Sequence, residues 1–197
     1  MDDATKSRIA SNIQGFNFVL HDLCVNKDWG ETRSCLKVFD QTAKMPKDGD
    51  LPIHVALANS CPQEIAEALI AAYPPGAHTP SARNQYPLLL AMASSPPYST
   101  SFLTTLITPD TAKGLSTLGE TALIAAISKC LPSSFICTLL NAYPEAIKIP
   151  DDMDNLPLHE AVEKGDEDVI KILYEQYPEA AEIENGMGDI VDGFWAK

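Results

Sequence analysis

The chain has 197 residues, 45% of them hydrophobic and 21% charged, so it can bury a sizeable core and is neither disordered nor fibrous. It carries 14 Lys and Arg against 27 Asp and Glu, and this formal net charge of -13 disfavours a nucleic-acid backbone as its main partner. No apolar run approaches the roughly 20 residues that span a bilayer, and the acidic, polar start does not resemble a secretory signal. We expect an intracellular protein that neither binds nucleic acid nor inserts into membranes. The expected location is the cytoplasm, with the nucleus as the alternative.

The first 47 residues are predicted to form a divergent helix pair that caps the rest of the chain. Apolar residues at steps of 4, 3, 4 and 3 mark one face of a first helix: Ile9, Ile13, Phe16, Leu20 and Leu23. A second helix is indicated by Cys35, Leu36 and Phe39. A capping unit is expected because the terminal unit of a repeat array would otherwise expose its stacking face.

A repeat of about 35 residues organises residues 48–185. The segment Leu51-Pro52-Ile53-His54-Val55-Ala56 has counterparts that begin at Tyr86, Thr121 and Leu156, each 35 residues further on. A second marker keeps the same frame, at steps of 35, 35 and 34: Tyr73-Pro74, Thr108-Pro109, Tyr143-Pro144 and Tyr177-Pro178. We predict four repeats at about 48–82, 83–117, 118–152 and 153–186, followed by a tail or truncated repeat at 187–197.

Each repeat is predicted to contain two helices. Proline fits the first turn of a helix, so Pro52, Pro87 and Pro157 mark the starts of first helices. The residue before a proline avoids the α region, so the Tyr-Pro marker ends the second helix, and a linking loop of about a dozen residues follows. The second repeat departs most from this pattern, because Ser94-Ser95-Pro96-Pro97 replaces its inter-helix turn.

These markers resemble ankyrin repeats. The best match is Leu156-Pro157-Leu158-His159-Glu160-Ala161, and Gly119-Glu120-Thr121 keeps the Gly-x-Thr of the family. The resemblance implies an all-α fold, an ankyrin-like α-solenoid of stacked helix pairs with inter-repeat hairpin loops. A HEAT or tetratricopeptide array is the alternative architecture.

The sequence departs from the ankyrin pattern in two ways. Its period is 35 residues where the family has 33, and three of the four repeats lack the Thr that caps the first helix: Leu51, Tyr86 and Leu156 stand there. A missing cap typically costs a helix about 1 kcal/mol. We therefore expect irregular hairpins between the repeats.

Candidate catalytic or metal-binding residues are few. The resemblance implies that His54 and His159 bond backbone groups between neighbouring loops. His21 and Cys24, one helical turn apart, could face a metal ion, but a zinc site needs further ligands and none is close in sequence. Five cysteines without paired spacing predict reduced thiols, with Cys130 and Cys137 in the core. We expect no catalytic residue, no metal and no cofactor, and thus no enzyme.

Charge is distributed unevenly along the chain. Residues 145–197 contain 15 acidic and 4 basic side chains, whereas the 94 residues of 51–144 contain only 4 acidic and 3 basic ones. A thin array cannot hide so many uncharged residues, so the middle repeats are expected to expose apolar surface. Low charge with exposed apolar area indicates an interaction face; a neutral surface without a partner is the alternative.

The expected function is that of a non-catalytic scaffold or adaptor, which binds a protein partner through its concave hairpin and first-helix surface. The hairpin tips are predicted to carry the contacts: Lys47, Asp48, Asp50, Arg83, Asn84, Gln85, Leu118, Glu120, Asp152, Met153, Asp154 and Asn155. Four first-helix residues are added: Leu90, Met92, Lys129 and Glu160. A permanent subunit of a larger assembly is the main alternative, and an enzyme or small-ligand receptor is the less favoured one.

Overall fold

The computed structural model describes residues 18–38 and 40–191 of the chain. Within these ranges the regular elements are helices, and pairing of extended backbone is limited to two isolated bridges, Lys47 with Asp50 and Leu115 with Thr121. The prediction of an all-α fold is confirmed. The chain divides into two compact units, Met1–Tyr98 and Ser99–Lys197.

The first unit contains five of the described α-helices. They are α1 (Val19–Val25), α2 (Trp29–Val38), α3 (Pro52–Ala58), α4 (Gln63–Ala72) and α5 (Pro87–Met92). First helices pack on first helices, α1 on α3 and α3 on α5, while α2 packs on α4 beside them. Leu20, Leu57 and Leu88 are fully buried between these layers. The apolar faces that the sequence places on each helix are thus covered by the neighbouring helix pair.

The second unit repeats this arrangement with six described α-helices. They are α6 (Thr100–Thr105), α7 (Pro109–Ala112), α8 (Ala122–Ser128), α9 (Ser133–Ala142), α10 (Pro157–Lys164) and α11 (Glu167–Gln176). Helix α8 packs on α10, α9 packs on α11, and α6 and α7 both contact α9. Phe135, Ile136 and Ile170 are fully buried at the centre of this unit.

Proline sets the boundaries of these helices. Helices α3, α5 and α10 begin at the predicted prolines, and α4, α9 and α11 each end at the residue before a Tyr-Pro marker, as predicted. The predicted linking loops differ from the structure, since a five-residue 3-10 helix starts at Pro74, Pro144 and Pro178. A proline that cannot extend the preceding helix still fits the first turn of the next one.

The second repeat is the irregular one, as its sequence indicates. Its second helix, α6, has six residues, where α4, α9 and α11 have ten. The segment before it contains a cis Ser95–Pro96 bond and ends at Tyr98, whose hydroxyl donates a hydrogen bond of 2.6 Å to the carbonyl of Cys61. The hydrogen bond from Tyr98 to Cys61 holds the segment against the turn of the preceding helix pair.

The described residues test only part of the predicted N-terminal cap. Leu20, Cys35 and Leu36 are buried as expected. Ile9, Ile13, Phe16 and Phe39 lie outside the described residues, as do residues 192–197.

One cysteine prediction is wrong. Cys130 is exposed and Cys137 is half-buried, whereas Cys24, Cys35 and Cys61 are buried. Cys130 has a φ of 51° in the turn after α8, at the position that Gly165 occupies after α10. Cys130 therefore belongs to the turn that ends the helix and not to the apolar face that packs in the core.

Candidate protein-interaction surface

Two buried histidines clamp the starts of first helices to the chain that follows. The Nδ1 atom of His54 accepts the N–H of Leu51 at 2.9 Å, and its Nε2 donates to the carbonyl of Thr79 at 2.8 Å. His159 makes the same two bonds, to Leu156 at 3.1 Å and to Ile183 at 2.9 Å. Because Nδ1 accepts from a backbone N–H, the proton is on Nε2 and each ring is neutral.

The clamp confirms the structural role that the resemblance implies for these histidines. The ring nitrogen binds the N–H of Leu51 or Leu156 itself, whereas the Thr121 cap of the third repeat binds the N–H of Ile124 three residues further on. Burial lowers the pKa of His54, which keeps its ring neutral. Both ring nitrogens are used in holding the backbone.

Among the described residues, His21 makes only one of the two bonds, a role that sequence reasoning missed. Its Nε2 lies 2.6 Å from the carbonyl of Asp50, its buried Nδ1 has no hydrogen-bond partner in the described part of the chain, and burial lowers its pKa. Nearby Cys24 is fully buried, and this burial raises the pKa of its thiol to about 12, so the thiolate that a metal needs is disfavoured. Within residues 18–38 and 40–191, no three side chains of ligating type gather at one place.

Four hairpins share one five-residue design. They start at Ser81, Ser116, Asp151 and Asn185. In each, the first residue bonds the backbone of the fifth, and its side-chain oxygen accepts the N–H of the third and the fifth residue. The fourth residue has a positive φ: Asn84, Gly119, Asp154 and Gly188. Short polar side chains and glycine suit these positions, as in other tight hairpins with a left-handed residue.

The expectation of irregular hairpins is therefore wrong. The turn is built by its own Ser, Asp or Asn and does not depend on the cap of the next helix. The first hairpin is a shorter variant, in which Lys47 and Asp50 exchange two backbone bonds around Asp48 and Gly49, both with positive φ. Asp50 Oδ1 then accepts the N–H of Ala82 at 2.8 Å in the next hairpin of that unit.

Side chains and backbone also join the hairpins of the second unit. Asn185 Nδ2 donates to Asn155 Oδ1 at 2.9 Å, and the N–H of Gly186 donates to the carbonyl of Met153 at 2.9 Å. The carboxylate of Asp152 lies over Gly119, in the space that a Cβ at Gly119 would need. Successive tips are held side by side at fixed positions.

The structure exposes most of the residues predicted to contact a partner. Eight are exposed: Asp48, Arg83, Asn84, Leu118, Lys129, Asp152, Met153 and Asp154. Six are partly exposed: Lys47, Asp50, Gln85, Leu90, Glu120 and Asn155. Two first-helix predictions need correction, because Met92 is 7% exposed and Glu160 is 9% exposed. Met92 belongs to the core, and Glu160 forms an ion pair of 3.2 Å with Lys164.

The low charge of the middle repeats predicts exposed apolar side chains within residues 51–144, but most of the exposed ones lie outside that range. Of the large hydrophobic residues exposed in the described part of the chain, only Leu115 and Leu118 fall within 51–144. Three exposed side chains occupy the third position of successive hairpins: Leu118 at 66%, Met153 at 54% and Met187 at 68%. Sequence reasoning missed Met187 by assigning it to a tail, although it follows Met153 by 34 residues.

Stacked helix pairs, joined by uniform hairpins and clamped by histidines, define an all-α solenoid of the ankyrin type. The structure is similar to the crystal structure of EF0377, described as an ankyrin repeat protein, with a TM-score of 0.62 and 25% sequence identity over 88% of this chain and 87% of that chain. No family model and no curated protein sequence matches the chain. Among the described helices, none combines the length and apolar character needed to cross a bilayer.

Proposed function

We propose that this protein is a non-catalytic scaffold, which binds a protein partner through its hairpin tips and the exposed sides of its first helices. The observation that carries this proposal is the uniform hairpin with an exposed third residue. The first and fourth residues build the turn, so the third is left to vary, and it is Arg83, Leu118, Met153 or Met187 in the four cases. Ankyrin-type solenoids present such tips in an array, which suits protein recognition.

The chemistry of the buried side chains supports the absence of catalysis. His54 and His159 use both ring nitrogens in backbone bonds, which leaves neither nitrogen available as a general base. Burial raises the pKa of Cys24, Cys35 and Cys61, which suppresses the thiolate that a nucleophile requires. These five side chains are thus engaged in structure.

The proposal is tested by affinity capture from cells that naturally express the protein. The bait is compared with a variant in which Arg83, Leu118 and Met153 are replaced by Ser, and with a control that carries Lys171→Ser on the second helix α11. We expect a partner in stoichiometric amount with the wild type and the control, and its loss with the tip variant. Recovery of no such partner, or equal recovery with the tip variant, would contradict the proposal.

A further inference from the structure

The third residues of the three hairpins in the second unit form an apolar row. We call Leu118, Met153 and Met187 the tip row. Each side chain is more than half exposed, and each stands at the same place in a hairpin of the same design. In the first unit the corresponding place holds Arg83, so the row is confined to the Ser99–Lys197 unit. Large apolar side chains repeated at an exposed position are not required by the turn.

The tip row is held at fixed positions. The Met153 carbonyl accepts from Gly186, the residue before Met187, and Asn155 accepts from Asn185 in the same pair of hairpins. Asp152, next to Met153, lies against Gly119, next to Leu118. The backbone beneath the three side chains is therefore ordered before any partner arrives, which lowers the entropy lost on binding.

Four carboxylates lie within two residues of the tip row in the sequence: Glu120, Asp152, Asp154 and Asp189. The ion pairs of the described part of this unit are Lys148–Glu145, Lys164–Glu160, Lys164–Glu163 and Lys171–Glu175, each confined to one helical element and none using these four carboxylates. The three apolar side chains thus have acidic residues beside them in the sequence, on a chain whose net charge is -13.

Building on the proposed function, we propose that the tip row binds a cationic peptide segment of a partner protein in polyproline II conformation. Packed helices lie roughly 8–10 Å apart, and a polyproline II helix has three residues per turn with a rise of about 3.1 Å per residue. Every third side chain therefore lies on one face at about the spacing of the tips, so an apolar side chain there can meet each tip in turn, and Lys or Arg between them can meet the carboxylates. Methionine adapts its shape to different apolar partners. A second copy of this acidic chain is disfavoured by like-charge repulsion.

The test uses the full chain and a synthetic peptide of about ten residues, with isoleucine at every third position and Lys or Thr between. A peptide with Glu in place of each Lys is the matched control. Titration calorimetry should show binding of the cationic peptide that weakens as salt is raised and no binding of the anionic one. Equal binding of both peptides, or binding of neither, would overturn the proposal.

Variants locate the site. The triple change Leu118→Ser, Met153→Ser and Met187→Ser should weaken the cationic peptide by at least about tenfold, equivalent to about 1.4 kcal/mol. Val25→Ser, at an apolar residue of helix α1 that is 59% exposed, is the matched control and should leave the affinity unchanged. The isosteric change Asp154→Asn keeps a residue that tolerates positive φ and should weaken binding while reducing its salt dependence. An unchanged affinity in the triple variant, with its circular dichroism intact, contradicts the assignment.

Three further outcomes distinguish this inference from the proposed function and from self-association. If a natural partner is captured but the triple variant retains it, the scaffold function stands and the tip row is not its site. If sedimentation shows self-association of the wild type that the triple variant abolishes, the occupant is a second copy and the peptide proposal fails. If no partner is captured but the peptide binds at the tip row, the scaffold function is contradicted, whereas the assignment of the tip row as a peptide-binding site remains valid.

Discussion

The histidine clamp can be removed by copying a residue that the chain itself uses. Ile124 stands at the position of His159 in the preceding repeat, so His159→Ile keeps an apolar side chain there. The change leaves the Leu156 N–H and the Ile183 carbonyl without their ring partner. A net hydrogen bond contributes about 0.5–1.5 kcal/mol, and an unsatisfied buried group costs more. We expect the free energy of unfolding to fall by about 2 kcal/mol.

Urea denaturation followed by far-UV circular dichroism measures this change. The midpoint should fall while the slope with denaturant stays the same, because the fold and its buried area are retained. His78→Gln, at an exposed histidine, serves as the control and should stay within about 0.5 kcal/mol of the wild type. If His159→Ile is as stable as the wild type, the two ring bonds do not stabilise the fold and the argument for the clamp fails.

A second variant tests whether the clamp and the threonine cap are independent. In the third repeat the Oγ1 atom of Thr121 accepts the N–H of Ile124 at 3.3 Å, so a Thr at position 156 would bind the N–H of residue 159, whereas the His159 ring binds the N–H of Leu156. Leu156→Thr therefore loses apolar burial and gains a cap worth about 1 kcal/mol in either background. The double-mutant cycle with His159→Ile should give a coupling close to zero, and a favourable coupling of about 1 kcal/mol would show instead that the two bonds replace each other.

Two other predictions follow from burial and close contacts. Burial lowers the pKa of His54 below its unfolded value of about 6.5, so as the pH falls the unfolded chain takes up the proton before the folded chain does. The free energy of unfolding should therefore decrease as the pH drops below about 7. His54→Leu, which places at position 54 the residue found at Leu89 in the next repeat, should reduce this decrease when urea midpoints are measured from about pH 7 to 5. Gly186→Ala places a Cβ 2.6 Å from the Met153 carbonyl oxygen and should cost about 1–3 kcal/mol in urea denaturation, whereas Gly30→Ala in helix α2, with its nearest neighbour at 4.0 Å, should cost nothing.

The helices could be predicted from the sequence because their boundaries are chemically strict. A proline such as Pro52 fits only the first turn, and Tyr73 before Pro74 cannot continue a helix. These constraints recur in one frame, so each repeat confirms the others. The capping histidines could be recognised only through the family resemblance, because spacing alone does not distinguish a clamp from a buried ligand.

The hairpins were harder to predict because their residues share a role but not an identity. Ser81, Asp151 and Asn185 each supply a side-chain oxygen to the N–H groups at the same two hairpin positions. The hydrogen-bonding role therefore repeats although the amino-acid type does not. His21 was missed for another reason. It precedes His54 by 33 residues, so a search at a period of 35 passes over it.

The hairpin separates the residues that the fold requires from those that it leaves open. The first residue must carry an oxygen and the fourth must tolerate a positive φ, whereas the third donates only its backbone N–H. Stability therefore does not select Leu118, Met153 or Met187, since a polar side chain would avoid exposing apolar surface to water. Under the proposed function, contact with a partner gives these three exposed apolar side chains a role that the fold does not, and the acidic residues beside them in the sequence favour a cationic partner.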